Sequence, residues 1–261
     1  MIHIIGYGSM GQALAHGWSS LNPVIIHKKK LNTAYHDIEG VRSICLSTDN
    51  IFVLAVKPKD IFSVTKSLKN KIHKNNWVFS VAAGVSIKAI GDSLAHKKIV
   101  RAMPNLAAYF SKSYTALYHP KIGKQDQQYI SSIWQHLGKV QWLEEESNFH
   151  AFTAIVGSGP AFFLTFAQDL QQSAINMGVT PQNAFTWTWQ ALNASGMMPH
   201  SFEESIKKIQ SPGGTTEAGC QMWDSKVSQL QTTKILQASI KRSHELAERF
   251  NNNHDYNENK K

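Results

Sequence analysis

Ile2-His3-Ile4-Ile5-Gly6-Tyr7-Gly8-Ser9-Met10-Gly11, continued by Ala13, Leu14, Ala15 and Trp18, is the stretch on which the fold turns. The apolar run 2–5 reads as a short buried strand, and the residues after Gly11 read as a helix. Between them stand three glycines in the order G-x-G-x-x-G. Gly6 permits a tight turn, Gly8 lets a backbone approach a pyrophosphate, and Gly11 allows close helix packing. Ser9 and Met10 complete the loop, where free N–H groups at the helix start face an anion. Strand, turn and helix in this order indicate a dinucleotide site, with a ligand-free glycine turn as the bland alternative.

The end of the next strand, 24–26, distinguishes the dinucleotides, because a carboxylate there takes a ribose 2′-hydroxyl. Here the chain runs on as His27-Lys28-Lys29-Lys30 with no acid. Lysines would neutralise a 2′-phosphate, so NADPH is expected, with His27 and Lys28 nearest it and NADH as the alternative cofactor. A solvated basic loop is the structural alternative.

Further strands are expected at 51–55, 77–81, 99–101 and 114–118, with helices through Ile61, Val64, Leu68 and Ile72 and through Ile130, Ile133, Trp134 and Leu137. That alternation is the pattern of a mostly parallel α/β sheet, a doubly wound Rossmann domain covering 1–146. Three strand exits collect on the carboxyl edge, where such folds bind ligands: Ala55-Val56-Lys57-Pro58, Ala82-Ala83-Gly84-Val85-Ser86, and Met103-Pro104-Asn105. After Glu146 strand signals stop, and 147–250 reads as a helical domain. Its segment 149–177 is apolar around most of the helix, which fits a surface meeting another subunit. The polar tail 251–261 is expected to be disordered.

Composition narrows the function classes. The 261 residues are 42% hydrophobic with a formal charge of +9, and the cations are spread along the chain without interleaved aromatics. Nucleic acid is therefore not an expected partner. No uninterrupted apolar run reaches the roughly 18 residues of a membrane span, and no signal peptide is seen, so neither membrane nor secretion is expected. Cys45 and Cys220 form no CxxC pair, and the histidines no metal-ligand spacing, so no metal is expected and a reducing cytoplasm fits.

Taken together, the glycine motif, Ala55-Val56-Lys57-Pro58, Ala82-Ala83-Gly84-Val85, Met103-Pro104-Asn105, Gly157-Ser158-Gly159-Pro160-Ala161, and Ser211-Pro212-Gly213-Gly214-Thr215-Thr216 with Ala218-Gly219 resemble the pyrroline-5-carboxylate reductase family. The resemblance spans almost the whole chain, and 211–216 is its most specific part. It implies NAD(P)H-dependent reduction of a cyclic imine carboxylate to proline. It also implies a helical dimerisation domain and a homodimer or assembly of dimers. Residues 211–216 then bind substrate, through Ser211, Gly213, Gly214, Thr215 and Thr216. The exposed N–H groups of 214–216 anchor its carboxylate and Thr216 contacts the imine nitrogen. Lys57, Pro58 and Ala83 position the nicotinamide, Ala55, Val56, Gly84 and Asn105 complete the cofactor site, and Glu146 lines the substrate pocket.

This sequence departs from the family at three places. Leu106 and Ala107 replace Thr-Pro after Met-Pro-Asn, His150 stands for an Asp, and Trp187 and Trp189 occupy positions of small residues. A reductase of another cyclic imine, a six-membered ring included, and a non-catalytic NADP(H)- and proline-binding paralogue stay open as alternatives.

Overall fold

The computed structural model describes residues 1–19, 24–27, 50–198 and 201–258, with side chains as far as residue 250. Lys28, Lys29 and Lys30 lie outside these residues. The chain divides by packing into two compact units, Met1–Gly157 together with Ser239–Lys261, and Ser158–Ala238. Strands give way to helices at Glu146, yet 147–157 and the end of the chain pack with the sheet.

The first unit is built on seven strands: β1 (Ile2–Ile5), β2 (Val24–His27), β3 (Ile51–Leu54), β4 (Trp77–Ser80), β5 (Ile99–Met103), β6 (Ser113–Tyr118) and β7 (Gly138–Trp142). Their order is β2-β1-β3-β4-β5-β6-β7. The first five are parallel; β6 runs antiparallel to β5, and β7 parallel to β6. The sheet is thus mostly parallel, as expected, and its order reverses at β1, which lies between β2 and β3. A crevice at the carboxyl ends of such neighbours is where doubly wound sheets hold ligands.

Strand periodicity sends alternate side chains to opposite faces. Ile2, Ile4, Val53, Phe79 and Val100 bury one face beneath helices α1 (Ser9–Trp18) and α4 (Lys124–Gln135), which contribute Leu14, Trp18, Ile130 and Trp134. Ile5, Leu54, Val78 and Ile99 bury the other beneath α2 (Ile61–Leu68) and α3 (Ile87–Leu94). Strand β7 was not expected from sequence. It is an edge strand whose residues alternate between half-buried and exposed, and its run Gly138-Lys139-Val140-Gln141-Trp142 carries too little apolar signal to declare itself.

The second unit is helical: α6 (Gly159–Asn176), α7 (Pro181–Gly196), α8 (Phe202–Ile209), α9 (Thr215–Gln221) and the first part of α10 (Ser225–Glu258). Before it, α5 (Phe149–Phe152) passes into a π-helical turn, Thr153–Gly157. Helix α8 begins with a reciprocal capping box between Ser201 and Glu204, which satisfies two N–H groups a helix start leaves orphaned. The backbone of helix α10 is helical to Glu258. Extending an existing helix fixes one residue per hydrogen bond, so a polar sequence suffices once the preceding turns are formed. The segment Glu146–Asn176 is long and apolar enough to cross a membrane by composition, with 22% of its most apolar window buried.

A polar pair interrupts the sheet core. His3, fully buried in β1, stacks on Phe52 with ring centroids 5.1 Å apart, and its Nδ1 lies 3.3 Å from Nε2 of buried His27. Burial, reinforced by His27, lowers the His3 pKa to about 4, and burial lowers that of His27 as well. Two neutral rings can share one proton as donor and acceptor; two cations here would repel without water. The folded chain refuses a proton that the unfolded chain takes near pH 6.5. The resulting stabilisation is fully present above about pH 6.5 and is lost as pH falls toward 4. A shift of this size corresponds to on the order of 3 kcal/mol. Urea midpoints measured between pH 7.5 and 4.5 should therefore fall, and His3→Phe should flatten the fall; an equal slope in the variant would remove His3 as its source.

Candidate active site

The turn after β1 shows which of its glycines the protein itself needs. Gly6 has φ +104°, and a Cβ there would overlap the carbonyl oxygen of Ala55. A Cβ on Gly11 would overlap the carbonyl oxygen of Gly6. These two residues press α1 into the seam between β1 and β3, and the Ala55 N–H donates to the Ile5 carbonyl at 2.8 Å. Gly8 differs: its backbone is in an ordinary extended conformation and a Cβ would meet nothing within 4 Å. No packing demand accounts for a glycine there, whereas a group lying against the backbone would. Gly8 is the N-cap of α1 without a side-chain cap, Gly8 and Ser9 are exposed, and no acid stands in the first turn. The N–H groups of this turn are thus available to an anion, and the cradle fits a pyrophosphate.

At the end of β2, His27, expected nearest a 2′-phosphate, is buried in the sheet core. Its ring is 6% exposed and faces His3, because the strand alternation that buries Ile5 on one face turns His27 to the face of His3. What His27 gives the turn is its carbonyl, which accepts the Gly6 N–H at 3.0 Å. The other expected reader of a 2′-phosphate, Lys28, lies outside the described residues.

After β3, Val56 is buried and Lys57 is exposed at the start of a 3₁₀ turn, Pro58–Asp60, closed by the Asp60 N–H on the Lys57 carbonyl. Proline suits that first position, since its missing N–H would have no partner. After β4, Ala83 is half-buried against the cluster of Met103, Phe149 and Phe152, while Gly84 is buried with φ +76°. Ser86 then caps α3 by accepting the Ala89 N–H at 3.2 Å.

Sequence reasoning passed over the residue that ties this edge together. Arg101 in β5 is 4% exposed, its guanidinium carbon lies 4.4 Å above the Phe149 ring, and its Nη1 donates to Glu146 Oε1 at 3.1 Å. The same oxygen accepts the Ile87 N–H at 2.9 Å, at the first residue of α3. Burial pulls the Arg101 pKa down from its ordinary value and Glu146 opposes that shift. A charged residue between Val100 and Ala102 in an apolar strand was the available signal. Asn105, expected at the cofactor, spends its amide on the backbone. Its Oδ1 accepts the Ala107 N–H at 3.2 Å, and its Nδ2 donates to the Val156 carbonyl of the π turn at 3.3 Å.

In the second unit, Ser211, Gly213, Gly214, Thr215 and Thr216 form the loop that opens α9. Gly213 has φ +69°, its N–H donates to Glu217 Oε2 at 2.8 Å, and the Gly214 N–H closes a turn on the Ser211 carbonyl at 2.9 Å. Gly214 is therefore not a free donor, as had been expected. The donors that helix geometry leaves without an intrahelical acceptor are those of Thr215, Thr216 and Glu217. Thr216 is half-buried and Ser211 exposed. Among the described residues no group of three or more His, Cys, Asp or Glu could hold a metal ion.

Residues 1–84 match the family described as NADP oxidoreductase coenzyme F420-dependent, and residues 146–246 match that described as pyrroline-5-carboxylate reductase dimerisation. The second match marks a dimerisation domain, so the chain is built to oligomerise. A pyrroline-5-carboxylate reductase of Vibrio alginolyticus is 30% identical over 208 residues, 77% of this chain and 76% of that one. The solved structure of a pyrroline-5-carboxylate reductase from Coxiella burnetii superposes with a TM-score of 0.82 at 27% identity, covering 94% of this chain and 98% of that one. A Plasmodium falciparum pyrroline carboxylate reductase with NADP bound shares the fold, with a TM-score of 0.77 at 22% identity over 94% and 97% of the two chains. With both sequence motifs in place on this fold, the chain belongs to the pyrroline-5-carboxylate reductase family.

Proposed function

We propose that this protein reduces 1-pyrroline-5-carboxylate to L-proline with NADPH. The observation that carries the reading is the loop 211–217, where three backbone N–H groups and a half-buried threonine hydroxyl stand together on a turn that Glu217 holds shut. That set suits a small carboxylate carrying a nitrogen beside it. The family match of residues 1–84 and the open cradle at Gly8 support the dinucleotide.

A protonated imine is already electrophilic, so the protein's task is orientation rather than acid–base chemistry. When bound, the nicotinamide would supply the hydride that the ring carbon accepts as the C=N bond becomes single and the nitrogen keeps its proton as an amine. In this reading the N–H groups of Thr215 and Thr216 hold the substrate carboxylate and the Thr216 hydroxyl meets the nitrogen. The 6–11 turn holds the pyrophosphate, Lys57, Pro58 and Ala83 flank the nicotinamide, and Lys28 meets the 2′-phosphate. Glu146 uses Oε1 for Arg101 and Ile87, which leaves Oε2 for the substrate.

The homodimer, alone or as a unit of a larger assembly, is part of the same proposal. Phe163, Phe166, Phe185, Trp187 and Trp189 are all exposed in the single chain, inside the region that matches the dimerisation family. A second copy would remove this surface from water, and it accounts for the apolar character of Glu146–Asn176 without a membrane. A cytoplasmic location fits a chain whose described cysteine, Cys220, is unbridged.

The direct test follows NADPH absorbance when the protein meets 1-pyrroline-5-carboxylate, with NADH in parallel. Turnover faster with NADPH is expected; NADPH binding without turnover would keep the dinucleotide site and reject the substrate. Thr216→Ala should lower kcat/KM for the imine by about 10- to 100-fold, the worth of one hydrogen bond to a charged group. Wild-type kinetics in that variant would remove the nitrogen contact. Gly8→Ala should lower Tm by no more than about 4 °C, since the added Cβ meets no protein atom within 4 Å and only the N-cap preference is lost, while weakening NADPH binding by more than about tenfold. Unchanged affinity by fluorescence titration would place the pyrophosphate elsewhere.

A further inference from the structure

The last turns of α10 make contacts that hydride transfer does not call for. Ser243, Leu246, Ala247 and Phe250, spaced three and four apart, are half-buried along one face, while Arg242, Glu245, Glu248 and Arg249 are exposed. All of this segment packs in the sheet-bearing unit. At one end His150 of α5 holds it: His150 Nδ1 lies 2.8 Å from Ser243 Oγ, and the His150 and His244 rings stack with centroids 3.7 Å apart. At the other end Phe250 packs on the cluster that contains Ile5, Val56 and Val85. Between these anchors lies the turn after β4. A Cβ on Gly84 would stand 3.0 Å from the Ala247 nitrogen and 3.1 Å from the Leu246 carbonyl carbon and Cβ. The bare backbone of Gly84, read from sequence as room for a ligand, is thus occupied by the backbone of the chain's own last helix.

We infer that the 243–250 face of α10 is a positioning element of the reductase. It clamps Gly84 and so fixes the neighbouring Ala83, and His150 is the positioning residue that anchors the clamp. This rests on the proposed placement of the nicotinamide at Ala83. His150 stands where the family resemblance gives an aspartate, so the anchor belongs to this sequence in particular. Its ring has a pKa lowered by burial, then by His244 and Arg101, which keeps it neutral and able to pair with a serine hydroxyl and stack on a second imidazole.

The test uses the full chain and compares His150→Ala with His150→Gln, whose amide can still reach Ser243. In His150→Ala, amide exchange should quicken by about fivefold or more in both 243–250 and 82–87, measured without cofactor, because releasing the helix frees the turn. The KM for NADPH should rise about five- to tenfold with kcat within about twofold, and His150→Gln should restore most of the loss. If His150→Ala fails to fold, Ser243→Ala, which removes one hydrogen bond, should move both readouts in the same direction by less. Faster exchange confined to 243–250, or an unchanged KM for NADPH despite coupled exchange, overturns the inference and leaves the cofactor reading intact. Failure of the wild-type protein to bind NADPH overturns both.

Discussion

The constraint on which the rest of the molecule depends is the absence of room between the turn after β1 and the carbonyl of Ala55. Neither Gly6 nor Gly11 can carry a side chain, so α1 begins directly above the seam of β1 and β3. Its buried face, led by Leu14 and Trp18, then meets Trp134 of α4 on the same face of the sheet. Because the helix starts so close to the strand ends, its unpaired N–H groups open on the crevice where the strand order reverses. One steric condition therefore sets helix position, one half of the core and the place of the phosphate cradle.

Two kinds of buried polar group support this frame in opposite ways. His3 and His27 are held neutral, and their cost is limited to ordinary hydrogen-bonding groups out of water. Arg101 keeps its charge by pairing with Glu146 and lying over Phe149. A pair of this kind adds little net stability against an apolar replacement, but it specifies where its partners sit. Here the partner oxygen also receives the first N–H of α3, so the charge pair fixes the start of α3 after the turn that follows β4.

The helical unit follows a different economy. Its helices have well-formed caps, at Thr180 and Ser201 among others, yet their aromatic residues stay exposed in one chain. Local signals define each helix, while the burial that would stabilise it belongs to a second copy. Trp187 and Trp189, the large residues where the family resemblance gives small ones, lie on this exposed set.

The sequence by itself determined what is local or periodic. The glycine spacing after an apolar run declares strand, turn and helix; the short apolar runs at 51–55 and 77–81 declare buried strands; Ser211 to Thr216 declares a helix start rich in free donors. Each depends on residues a few positions apart, where backbone geometry is set by the residues themselves. Tertiary structure decided what depends on distant partners. It paired β7 on a sheet edge too polar to read, turned His27 inward onto His3, and spent the Asn105 amide on a π turn some fifty residues away. It also kept α10 helical beyond Phe250 and laid that helix on Gly84. A glycine or a histidine in a sequence states which contacts are permitted; only the folded chain states which neighbour arrives to make them.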